Sequence, residues 1–97
     1  MIVRVLEEGQ YEVGEESAAR LRALDESLDD AMQSDDEEAF DATLRALVAE
    51  VHSSGRLLEP SALVPSDAAL PAPGTSLAEM RKLLEAGAEA APGAAAR

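Results

Sequence analysis

Cysteine is absent from the chain, and aromatic residues nearly so, with Tyr11 and Phe40 the only two among 97 residues. The first absence removes disulfides, thiolate metal sites and cysteine nucleophiles together, and suits a reducing cytosol. The second leaves a core to be built from Leu, Val, Met and Ala, which pack densely but bury modest area each. Positive charge is also scarce: 8 Lys and Arg stand against 20 Asp and Glu, a formal net charge of -12. Such a surface repels nucleic acid, whose affinity comes largely from cations neutralising phosphates. It repels an anionic bilayer too, unless another protein bridges the two. No apolar run approaches the ~20 residues needed to span a membrane. The opening Met1-Ile2-Val3-Arg4 lacks the basic-then-apolar order of a signal peptide, so a cytoplasmic location is expected.

What is present suits one compact domain. Residues 2–6 are apolar and β-branched around Arg4, and Tyr11-Glu12-Val13 follows a Gly-bearing connection at Gly9. This reads as a β-hairpin whose turn uses that glycine. Alternation places Ile2, Arg4 and Leu6 on one face and Val3 and Val5 on the other. Apolar residues on both faces imply a strand covered on both sides, or buried by a partner.

The period then becomes helical. Leu21, Leu24, Leu28 and Met32 recur at spacings of three and four, within a helix expected over 15–33. Ser34 and Glu37 have the capping-box spacing, which predicts a second helix beginning near Asp35. Phe40, Leu44, Leu47 and Val51 form its stripe, and Gly55 offers a left-handed C-cap. The short connection folds the two into an antiparallel helical hairpin. Residues 56–74 hold four of the five prolines, with Leu57-Leu58 and Leu63-Val64 as apolar anchors. Residues 66–70, flanked by Pro65 and Pro71, suit a third strand at a sheet edge. Ser76 and Glu79 make a second capping box, opening a short helix with Leu77, Met80, Leu83 and Leu84 that Gly87 closes. The expectation is an α+β domain over residues 1–87 in the order β-β-α-α-β-α, followed by an Ala-rich disordered tail over 88–97.

Catalytic constellations are hard to assemble from these residues. His52 is the only histidine and stands near a helix C-terminus, where an imidazole ordinarily caps or is solvated. No G-x-S-x-G nucleophile elbow or phosphate-cradling glycine loop occurs. The run Asp35-Asp36-Glu37-Glu38 could in principle gather a hard cation, but it lacks the central glycine and alternate spacing of a calcium loop. Helix capping and solubility account for it better. No cofactor or metal is expected. The remaining candidates are surfaces for a protein partner: Gln10 and Tyr11 after the hairpin turn, and Asp25, Asp29 and Asp30 on the first helix.

Several stretches, taken in order, resemble the PspA-associated protein family, PspAA. They are the opening Met1-Ile2-Val3-Arg4-Val5-Leu6, the E-G-Q-Y-x-V from Glu8 to Val13, and L-R-A-L-D-E-S-L at 21–28. Phe40, Leu44, Leu47, Val51 and Gly55 follow, then S-D-x-x-L-P at 66–71 and S-L-A-E at 76–79 leading to Leu83-Leu84. The resemblance spans residues 1–86, and E-G-Q-Y-x-V and S-D-x-x-L-P are its most distinctive pieces. It differs in one place: relatives often end the last helix in a G-L-I-P-G-like stretch, and residues 87–93 here lack that apolar pair. The resemblance implies a non-enzymatic accessory role beside PspA, a coiled-coil membrane-stress protein related to the ESCRT-III group. It implies contact with PspA in a phage-shock-type envelope response, reached at the inner face of the membrane through that partner. Two alternatives stand beside it. The two-faced hairpin and thin core suit a homo-oligomeric structural module, and an enzyme or metal-binding domain would have to use His52 or residues 35–38. DNA binding ranks last, for want of a basic helix.

Overall fold

The computed structural model describes residues 1–62 and 64–90. The apolar start forms β1 (Ile2–Val5) and β2 (Gly9–Glu12), paired antiparallel with Val3 opposite Tyr11 and Val5 opposite Gly9. The turn between them differs from the expected one. Glu8 N–H donates to the Val5 carbonyl at 2.9 Å, and the positive φ of 74° falls on Glu7. Gly9, at φ 140°, opens β2 instead. The alternation holds: Val3 and Val5 are buried, Arg4 is exposed, and Ile2 and Leu6 are half-buried.

The helical hairpin is α1 (Glu15–Gln33) and α2 (Glu37–Ser54). Leu21, Leu28 and Ala31 of α1 interlock with Phe40, Leu44, Leu47, Val48 and Val51 of α2 over Val3, Val5 and Val13. Each large side chain so buried contributes about 1.5–3 kcal/mol. Arg20 bridges from the start of α1 to Glu50 near the end of α2 at 2.9 Å, as antiparallel packing requires.

The expected Ser34–Glu37 capping box does not form. Ser34 is the C-cap of α1, and Asp35 adopts the left-handed conformation at φ 57°. The Asp35 and Asp36 N–H groups donate back to the carbonyls of Met32 and Ala31, at 3.2 and 2.9 Å. This is a Schellman ending with aspartate in the place glycine usually takes. Asp36 then caps α2, its carboxylate accepting from Ala39 N–H at 3.0 Å. Asp36 wins because Ser34 is still held by α1.

Two further corrections concern the Pro-rich segment. A strand that carries no local signal, β3 (Arg56–Leu57), pairs antiparallel with β2. The expected third strand is therefore the fourth, β4 (Ala68–Leu70), which lies parallel to β1. The sheet order is β3-β2-β1-β4, so β4 does occupy an edge. Leu57, expected as an anchor, is 55 % exposed, Val64 is exposed as well, and Leu63 lies outside the described residues. Gly55 is extended, at φ -94° and ψ 161°, and not left-handed. Glycine is needed there because a Cβ would come within 2.6 Å of the Val51 carbonyl oxygen.

The last helix, α3 (Leu77–Ala90), starts at the expected box: Glu79 N–H donates to Ser76 Oγ at 3.0 Å, and Ser76 N–H to Glu79 Oε1 at 2.9 Å. It continues past Gly87, where a stop was expected, because a glycine within a helix costs only about 1 kcal/mol and alanines follow. Residues 91–97 of the tail lie outside the described residues.

Candidate functional site

At the hairpin end, the turn and the last turn of α2 bring together Glu8, Tyr11 and His52. Glu8 Oε1 lies 2.7 Å from His52 Nε2 and accepts from the Tyr11 hydroxyl at 3.0 Å. The Tyr11 and His52 rings are 5.6 Å apart and tilted. The hydrogen bond from His52 holds the Glu8 carboxyl below its ordinary value. Burial, followed by the bond to Glu8, pushes the Tyr11 phenol up. The neighbouring hydroxyls turn away from the imidazole: Ser54 Oγ donates to Glu50 Oε2 at 2.9 Å and Ser53 Oγ to the Glu50 carbonyl. The arrangement pins the hairpin to α2 by a carboxylate–imidazole pair, and both serine hydroxyls beside it are bonded to Glu50 instead.

Gln10, a sequence candidate for partner contact, is only 7 % exposed. It points to the sheet face opposite the helices, where its amide Nε2 donates to the Val64 carbonyl at 2.8 Å and to Ser66 Oγ at 2.7 Å. The segment between β3 and β4 must cross from one sheet edge to the other, and Gln10 is its anchor. Asp67 completes the crossing, with its carboxylate accepting from Ile2 N–H and its own N–H donating to the Ile2 carbonyl, both at 2.7 Å. The two most distinctive sequence pieces, E-G-Q-Y-x-V and S-D-x-x-L-P, thus meet each other through Gln10 and Ser66. Ile2 and Leu6, on the same face of β1 as Arg4 and across from the helices, are half-buried.

The acids at 35–38 are divided among structural tasks. Asp35 pairs with Arg81 at 2.9 Å, Asp36 caps α2, and Glu37 accepts from Leu77 N–H at 3.0 Å, docking the start of α3. Among the described residues no three His, Asp or Glu side chains converge in a way that could hold a metal.

Asp25 and Asp29 fare differently. With Glu26 they rim a groove of about 300 Å³ between α1 and α3, lined by Leu28, Met32, Met80 and Leu84. A second hollow of about 330 Å³ shares Asp25 and Glu26 and runs toward β4, over Met1, Val3, Leu21, Leu47 and Leu70, with Arg22 at its side. Asp30 lies on neither and is exposed. Reasoning from sequence missed Glu26, Met80 and Leu84 as members of one surface. The available signal was the α3 stripe, whose Leu77 is buried while Leu84 stays 50 % exposed.

Among the described residues no helix is long and apolar enough to cross a membrane. No curated protein and no solved structure matches the chain. The family model described as PspAA, PspA-associated protein, matches residues 1–93, and the chain therefore belongs to the PspA-associated protein family.

Proposed function

We propose that this chain is a non-enzymatic adaptor or regulator that binds a PspA-like coiled-coil protein in the envelope-stress response. The family match over residues 1–93 carries this reading. The physics agrees with it: a net charge of -12 favours a basic polypeptide over nucleic acid or an anionic bilayer, and charge complementarity raises association rate and selectivity. Its place is the cytoplasm, at the membrane only through that partner. Calorimetric titration of the PspA-like protein from the same genome, at low ionic strength where charge attraction is least screened, should show saturable binding that weakens with added salt. The absence of any heat under those conditions overturns the reading.

A homo-oligomer is the second reading, favoured by exposed Leu57, Leu83 and Leu84. A monomer by light scattering across micromolar concentrations removes it.

A further inference from the structure

We infer that the groove between α1 and α3, continuing to β4, seats one amphipathic helix of the partner with an apolar stripe flanked by Lys or Arg. The inference rests on the adaptor reading and gives it a surface. α3 leaves the body of the domain as it proceeds: Leu77 is 3 % exposed, Met80 half-buried and Leu84 exposed. The apolar stripe that docks its first turn is therefore uncovered further along, facing Leu28 and Met32 of α1 across the groove.

Charge selects the occupant. Asp25, Glu26 and Asp29 line the α1–α3 groove and no basic side chain does. Among the described residues Asp25 and Glu26 have no ion pair, and Asp29 accepts only from Gln33, at 3.0 Å. Along the adjoining hollow Arg22 is the single cationic side chain. At the end of α1, Arg81 of α3 is already committed to Asp35 and to the Met32 carbonyl, which it reaches at 2.8 Å. A second copy of this chain would bring acid against acid, each molecule at -12, so self-association through this face is opposed. A basic helix has its charges matched. The α1 side of the surface, from Leu21 to Met32, is about 16 Å long at 1.5 Å per residue, room for about three turns of an incoming helix. Apolar anchors at i, i+3, i+4 and i+7 would seat along it, with cations meeting the acidic rim.

The test compares two triple charge reversals with equal change in net charge, titrated against the same PspA-like protein. Asp25→Lys/Glu26→Lys/Asp29→Lys reverses the rim, whereas Glu16→Lys/Asp30→Lys/Glu59→Lys alters exposed acids elsewhere. The rim variant should weaken Kd by about 30-fold or more and the other by less than about fivefold. Leu84→Glu, at a position already half exposed, should cost about tenfold and decides the matter if the rim triple fails to fold. Equal losses in the two triples with Leu84→Glu unaffected overturn the groove and leave the adaptor reading intact. No binding by the wild type at low ionic strength defeats both. A wild-type dimer that Leu84→Glu dissociates assigns the groove to a second copy and overturns the proposal.

Discussion

Gly14 and Gly55 both border helices, yet the same substitution at each should move stability in opposite directions. At Gly55 a Cβ would lie 2.6 Å from the Val51 carbonyl oxygen and 3.1 Å from Tyr11 Cβ. The backbone there is extended, so serine meets no conformational penalty and the cost is steric. That same oxygen accepts the Gly55 N–H at 2.8 Å, and Tyr11 is fixed in β2 opposite Val3. Neither neighbour can yield without shifting α2 against the sheet. Overpacking of this kind costs about 1–3 kcal/mol. At Gly14 nothing lies within 4 Å of the added Cβ, and φ -74° with ψ 172° suits any L residue. It is also the N-cap of α1 and makes no side-chain cap. Serine there both narrows the unfolded ensemble and supplies an acceptor for the first turn, a gain of about 0.5–1 kcal/mol. Urea unfolding followed by far-UV circular dichroism gives both values. In heat, each kcal/mol corresponds to about 4–8 °C in Tm for a domain of this size. The steric account is wrong if Gly55→Ser unfolds at the wild-type midpoint, or if both variants shift the same way.

Three other expectations follow from the fold. Asp36→Ala should lose about 1 kcal/mol through the missing α2 cap while Ser34→Ala stays within about 0.5 kcal/mol, as equilibrium denaturation can show; the reverse order would restore the capping box that the structure lacks. Gln10→Ala strips the crossover of both its donors and should cost about 1–3 kcal/mol, with amide exchange quickening in β4 before it does in α2. Tyr11 is the only tyrosine, so its phenolate absorbance titrates without interference, and the midpoint should lie above the ordinary 10.0. Because the folded value is the raised one, this group's contribution to stability is complete below about pH 10 and declines as pH rises through the folded pKa. Glu8→Gln should bring the midpoint partway back, since burial is the larger cause and remains; an unchanged midpoint would remove Glu8 from the account.

Much of the candidate surface could be read from sequence only in fragments. Asp25 and Asp29 were visible as acids on a helix, but nothing local distinguishes them from Asp30, which faces solvent one residue away. The distinction arises because α3 returns beside α1, tethered by Glu37 to the Leu77 N–H and by Arg81 to the end of α1. Gln10 illustrates the opposite error. A polar residue after a turn reads as surface, yet the crossover between β3 and β4 passes over it and uses both amide hydrogens.

The chain's own order of residues determined what depends on neighbours a few positions away: the β1–β2 hairpin, the two leucine-rich helices, and the Ser76–Glu79 start of α3. Periodicity and capping act within one or two turns, so they are legible there. Only the tertiary structure decided that Arg56 and Leu57 form a strand, that β4 runs parallel beside β1, and that Asp36 displaces Ser34 as a cap. It also decided that Gly55 is needed for closeness and not for handedness. The two sheet pairings follow from contact between segments distant in sequence; Gly55 is fixed by Tyr11 as well as by nearby Val51, and the cap by the way the end of α1 holds Ser34 and folds back through Asp35 and Asp36.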